Sequence, residues 1–201
     1  RRRHTRCSRD WSSDVCSSDL NLRLLLGYMY AQPGKKLLFM GDEFGQTSEW
    51  DHDRSLDWHL LQYAPHEGAQ RWVRDLNHLY RTEPALHRLD VDSDGFQWVD
   101  CSDADNSTYS LLRVDGQGRA VLVVINATPI PRPGFRVGVP GPGRWDEVLN
   151  SDAQDYFGSG WGNYGGVEAE RVPFHGRPYS LNIALPPLSV VYFRGSAENP
   201  R

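Results

Sequence analysis

Residues 35–58 read KKLLFMGDEFGQTSEWDHDRSLDW, and the first half of this stretch decides the fold. Residues 36–40 are a short apolar run framed by Pro33-Gly34 and Gly41, the pattern of a fully buried parallel strand. The second half reads as loop. A buried strand that ends in Gly41, Asp42, Glu43 and Gly45 and feeds a polar, tryptophan-bearing loop places carboxylates and aromatic rings at its carboxyl end. In α/β folds ligands sit there.

Working outward, Leu22, Leu25, Leu26, Met29 and Tyr30 recur at helical spacing over residues 21–32, and Pro33-Gly34 stop that helix. A second amphipathic helix is expected over 68–81, with Trp72, Val73, Leu76, Leu79 and Tyr80 on one face and Arg71, Arg74, Asp75 and His78 on the other. Between them, residues 46–68 make a loop long enough to carry function. After His87 the pattern changes to short runs rich in Val, Ile, Phe, Tyr and Trp at 96–101, 108–114, 120–126, 135–139, 145–149, 167–174, 179–184 and 189–193. Gly, Pro, Asn and Asp separate them, which predicts an antiparallel sandwich. Asp115-Gly116 predicts a hairpin turn, and prolines 129, 131 and 133 a connection outside any central strand. Trp98 and Trp145, on predicted strands, are expected in the core.

FMGDEFGQ followed by EWDHDRSLDW resembles the end of the eighth barrel strand and its loop in the 1,4-alpha-glucan (glycogen) branching enzymes of the alpha-amylase superfamily, glycoside hydrolase family 13. Gly-x-Glu-x-Gly alone is common among amylase-like enzymes; Gln46, Glu49-Trp50, His52-Asp53 and Ser55-Leu56-Asp57-Trp58 make the match specific. The likeness continues through VRDLNHLYRTEPALH, VLVVINATP, GRWDEVLNSDA and GVEAERVPFHGRPYSLNIALPPLSVVYF, over about residues 21–193. Asp42 departs from the small or amide residue more usual in that family. The implied fold is α/β plus all-β: the last β/α unit of a (β/α)8 barrel at 21–90, then a C-terminal antiparallel β-sandwich at 95–195 and a tail at 196–201. The implied activity is transfer of an α-1,4-glucan segment to a 6-hydroxyl, giving α-1,6 branch points in glycogen biosynthesis. In the family the catalytic carboxylates come from barrel strands upstream of Asn21. The chain is therefore expected to hold no catalytic residue and to be inactive alone, although an enzyme by family. Two other readings remain: a non-catalytic glucan-binding β-sandwich, and a piece of a debranching or maltosyl-transferring relative.

Residues 1–20, RRRHTRCSRDWSSDVCSSDL, lack any period and read as a disordered leader or as non-native sequence, since SSDVCSSDL resembles translated adapter read-through. With no initiator Met and no signal-peptide core, the chain reads as starting internally. A hydrophobic fraction of 39% and a net charge of −4 describe a globular protein, with no apolar run of membrane-spanning length. Basic residues are scattered, Arg1 to Arg3 apart, which argues against nucleic acid. Three cysteines without a Cys-x-x-Cys pair argue against zinc or a disulfide framework and for a reducing, cytoplasmic setting with Cys101 buried. No cofactor and no metal is expected, and the full-length protein is expected to be a monomer acting on α-glucan.

The candidate substrate-binding residues are Glu43, Trp50, Trp58 and Trp161. Glu43 either accepts a hydrogen bond from a sugar or orients a catalytic group, or else pairs with an arginine. Trp50 and Trp58 either offer flat faces to pyranose rings or anchor their loop. Trp161, with Tyr164 in FGSGWGNYGG, has the same two readings. His52-Asp53 reads as a loop brace. Asp42 and Glu43 cannot act as a retaining pair from a strand, because such pairs stand ~5 to 5.5 Å apart across the bond and neighbours on a strand point oppositely.

Overall fold

The computed structural model describes residues 17–197; the reading of the leader's first sixteen residues, Cys7, Trp11 and Cys16 among them, lies outside the described residues. Two helices come first, α1 (Ser17–Ala31) and α2 (Ala64–Thr82). Eight strands follow among the described residues: β1 (Phe96–Asp100), β2 (Thr108–Val114), β3 (Arg119–Asn126), β4 (Arg132–Val139), β5 (Gly143–Asn150), β6 (Val167–Ala169), β7 (Tyr179–Leu185) and β8 (Ser189–Ser196). Every pairing is antiparallel. One six-stranded sheet runs β1-β2-β3-β8-β5-β6, and β4-β7 form a second.

The near-unbroken apolar run of β3 is explained by burial on both faces. Ala120, Leu122 and Val124 face the small sheet and pack with Val137, Val139, Leu181 and Ile183. Val121, Val123 and Ile125 face the other way, into a cluster with Leu26 and Tyr30 of α1 and Trp72, Val73 and Leu76 of α2. β8 splits likewise, Val191 and Phe193 to one side, Val190 and Tyr192 to the other. The result is three layers, with the large sheet in the middle. Gly27 lets α1 approach closely, because a Cβ there would lie 2.2 Å from Val190 Cγ1. The Tyr192 hydroxyl donates to the Gly27 carbonyl, and the Trp72 indole N–H donates to the Arg23 carbonyl (2.9 Å).

Arg113 closes this packing. It interrupts the apolar run of β2, is wholly buried, and donates to the carbonyls of Ala31 (3.0 Å), Leu86 (3.1 Å) and Gly95 (3.2 Å) and to Asp90 Oδ1 (2.7 Å). One side chain thus joins the end of α1, the connection after α2 and the sheet.

Several expectations change. Residues 36–39 alternate in burial but are unpaired, with Met40 already in a turn, because no strand lies beside them among the described residues and a strand exists only by pairing. α1 begins at Ser17, four residues early, and Leu20 is buried in it. α2 begins at Ala64, because Pro65 in the first turn costs no hydrogen bond. β6 stops at Ala169 instead of continuing to residue 174. Pro133 lies within β4, at a register shift in a strand with one partner, so no ladder bond is lost. Trp98 is 43% exposed, since β1 is the sheet edge, where its ring meets Phe96 edge-on. Cys101 is exposed, just past the end of β1.

Replacing Arg113 with Met leaves three buried carbonyls without their donor and Asp90 without its counter-charge. We expect a loss of about 3–5 kcal/mol of unfolding free energy by urea titration.

Candidate functional site

The segment before Gly41 alternates as a strand does. Lys36 and Leu38 turn toward α2 and are half-buried, whereas Leu37 and Phe39 point away, 79% and 54% exposed. Its carboxyl end is shaped by two glycines in the left-handed region, Gly41 (φ 95) and Gly45 (φ 67), which bracket a single 3₁₀ turn, Asp42–Phe44. A Cβ at Gly41 would stand 2.8 Å from Gln46 Cβ, so both its torsion and its surroundings require glycine.

This turn settles how the two carboxylates are used. Asp42 Oδ2 accepts from the Phe39 N–H (2.9 Å) and Glu43 Oε2 from the Gly41 N–H (3.2 Å). Each holds its own backbone, and the two do not form a pair across a bond to be cleaved. Glu43 is half-buried and lines a groove of ≈ 600 Å³ with Leu38, Val73, Arg74 and Arg81. The arginine partner expected as one alternative is absent from the ion pairs of the described residues; Arg74 pairs with Asp75 (3.1 Å) instead.

The loop beyond is braced at its neck. Gln46 Oε1 accepts from the Asp57 N–H (2.9 Å), Gln46 Nε2 donates to the Ser48 carbonyl (3.2 Å), and the Ser48 hydroxyl donates to Asp57 Oδ2. Trp58 lies over the buried ring of Phe44 at 5.2 Å and remains 50% exposed; Trp50 meets Phe39 edge-on at 5.5 Å and remains 44% exposed. Each tryptophan therefore anchors with one part of its ring and leaves the rest exposed to solvent. His66 fixes the turn from α2, donating from Nδ1 to the Phe44 carbonyl (2.8 Å). His52 lies between Asp51 (3.9 Å) and Asp53 (3.4 Å) at the exposed loop tip, where solvated ion pairs contribute little.

Trp161 stands apart. It belongs to the loop after β5, is half-buried, and its carbonyl accepts from Asn150 Nδ2 (2.9 Å); no ring contact among the described residues joins it to Trp50 or Trp58. Tyr164 in the same loop is fully exposed. Gln46 was singled out from sequence only as part of the motif, not as a brace, and His66 was not singled out at all; the structure gives both a positioning role.

On the α2 side, Lys36 Nζ lies 4.8 Å from the centre of the Tyr80 ring and donates to the Gln32 carbonyl. Burial pushes its pKa down to about 8, with Asp90 resisting and Arg113 assisting. Asp90 is held below the ordinary carboxylate value: burial opposes ionisation, but hydrogen bonds from Arg113, Tyr80 and the Gly34 N–H outweigh it.

With the geometry in place, comparison with known proteins is direct. Residues 98–196 match the family described as alpha amylase, C-terminal all-beta domain. Over 175 residues, 87% of the chain, the sequence is 58% identical to the 1,4-alpha-glucan branching enzyme of Aquifex aeolicus (strain VF5), and over 174 residues it is 57% identical to that of Pseudomonas putida. Both relatives are 1,4-alpha-glucan branching enzymes, and the chain is similar to them over most of its length. It spans about a quarter of their length, 28% and 24% respectively. Among solved structures, the pullulanase SAP of Group B Streptococcus superposes with a TM-score of 0.59 at 14% identity, covering 88% of this chain and 28% of that one. Ttha1563 from Thermus thermophilus gives 0.55 at 22%, covering 86% and 30%. At these identities the likeness speaks for the fold alone.

Two outcomes follow. Gly41→Ala, strained at positive φ and crowding Gln46, is expected to cost about 1–2 kcal/mol and to speed proteolytic cleavage within residues 46–57. For Lys36, the unfolded chain keeps its proton up to the ordinary value of 10.5 while the folded chain releases it at about 8. Between those values the unfolded state binds more protons, so stability rises with pH across that window and falls again as pH drops through 8. Lys36→Met is expected to flatten this rise in urea titrations at a series of pH values.

Proposed function

We propose that this chain supplies the rim of a glucan cleft and the adjoining sandwich of a 1,4-alpha-glucan branching enzyme, which moves an α-1,4-glucan segment to a 6-hydroxyl. The observation that carries this reading is the placement of Glu43, Trp50 and Trp58 at the carboxyl end of a half-covered extended segment, in a chain 58% identical to a branching enzyme over 87% of its length. The exposed faces of Trp50 and Trp58 suit the apolar faces of pyranose rings, and Glu43 suits a sugar hydroxyl. Trp161 is a separate contact for a longer chain.

Retaining glycosyl transfer uses two carboxyl groups ~5 to 5.5 Å apart, one as nucleophile and one as acid/base. Asp42 and Glu43 are committed to backbone N–H groups, so these residues bind and position while the bond-breaking acids belong elsewhere in the enzyme. The setting proposed is cytoplasmic and the full-length state monomeric; no helix of the described residues is long and apolar enough to cross a membrane. No metal or cofactor enters this reading. The division into a barrel portion at 21–90 and a sandwich at 95–195 is likewise proposed as the domain division of the enzyme, with the two portions sharing one apolar core.

Electrophoresis of the chain through gels containing glycogen tests the reading. Retardation is expected, reduced several-fold by Trp58→Ala or Trp50→Ala, with no new α-1,6 linkage formed from amylose. Migration unaffected by glycogen, or branching by the chain alone, would contradict it.

A further inference from the structure

Lysine is scarce in this protein: Lys35 and Lys36 are its two lysines, against twenty arginines. They are neighbours in sequence and opposites in setting. Lys35 is exposed, whereas Lys36 is half-buried against the Tyr80 ring. An ammonium has three N–H donors, and among the described residues that of Lys36 donates one hydrogen bond, to the Gln32 carbonyl. The carboxylate that attracts it, Asp90, is already engaged, with Oδ1 accepting from Arg113 (2.7 Å) and Oδ2 from the Tyr80 hydroxyl (2.8 Å). The buried Arg113 guanidinium in the same cluster repels a second positive charge. Residues just after α1, on α2, in the connection after α2 and on β2 thus surround a half-buried amine whose charge burial and Arg113 disfavour, against the pull of Asp90 and the Tyr80 ring.

From this arrangement we infer that Lys36 is a modification site for small activated acyl donors, acyl phosphates being the simplest class. The neutral Nζ attacks the acyl carbonyl carbon, and the C–O bond to phosphate breaks. Phosphate leaves with the electron pair, and the surplus proton on nitrogen passes to solvent. The product amide suits its surroundings, since it carries no charge for Arg113 to repel and keeps an N–H for the Gln32 carbonyl. With its pKa held at about 8, a fraction on the order of a tenth of Lys36 is neutral near pH 7, against far below a hundredth for an ordinary lysine.

Because the two lysines are adjacent, one serves as the internal control for the other. The full chain is treated with acetyl phosphate at neutral pH, and chymotryptic peptides are read by fragment mass spectrometry. Acetylation of Lys36 is expected about tenfold faster than that of Lys35, with a rate that rises to half its maximum near pH 8 and a preference that vanishes in denaturing urea. Lys36→Arg is expected to remove the fast adduct while Lys35 reacts at its original slow rate. Equal rates at the two positions in the folded chain would overturn the inference. So would a preference that persists in urea, since it would then come from local sequence and not from the fold.

Discussion

The structure depends on a guanidinium placed where a sequence of alternating apolar residues calls for a hydrophobe. Arg113 is wholly buried, and the fold around it is arranged so that its donors meet three backbone carbonyls and a carboxylate from three separate parts of the chain. Burying a charge is costly unless it is paired and hydrogen-bonded. Each of its partners is therefore constrained: α1 ends so that the Ala31 carbonyl is free to accept, and the chain after α2 turns so that Leu86, Asp90 and Gly95 converge. Helices and sheet are joined by this polar centre as well as by the apolar cluster around Trp72 and Tyr192.

The same junction shapes the candidate site indirectly. Asp90 draws in the Gly34 N–H and Tyr80, Tyr80 presents its ring to Lys36, and Lys36 fixes which side of the extended segment faces α2. Once Lys36 and Leu38 face the helix, Leu37 and Phe39 face away, and Gly41 turns the chain so that Phe44 lies beneath Trp58. The exposed faces of Trp50 and Trp58 follow from that register. A slip of one residue would reverse every side chain of the segment.

Much of this was legible in the sequence, and the failures have physical reasons. Seven of the eight expected strands match in position because each is a β-branched or aromatic run between turn residues, and the eighth, from Val167, is real but short. Helical periodicity located both helices. It missed their starts because Pro65 costs nothing in a first turn and because Ser17 to Leu20 carry too few apolar residues to show a period. The run at 36–40 reads as a buried strand from its own residues, but pairing is a property of neighbours that a single segment does not encode. Exposure of Trp98 and Cys101 depends on β1 lying at the sheet edge, which is a matter of strand order. Arg113 could have been noticed as the one charge inside TYSLLRV; its four partners, drawn from across 82 residues of chain, could not. Among the site residues, Glu43 sits in the turn and lines the groove beside Leu38, Trp50 packs on Phe39 and Trp58 on Phe44, whereas Trp161 lies on its own loop.

The central claim is that the two helices and the sheet they cover form one cooperative unit through Arg113 and the shared apolar cluster. Native-state hydrogen exchange across a urea series tests it most directly. The account predicts that the slowest amides of α2, around Leu76, and those of β3, around Val123, converge on one opening free energy and one urea dependence. A separate, lower-energy opening of α1 and α2, with the β3 amides still protected, would contradict it.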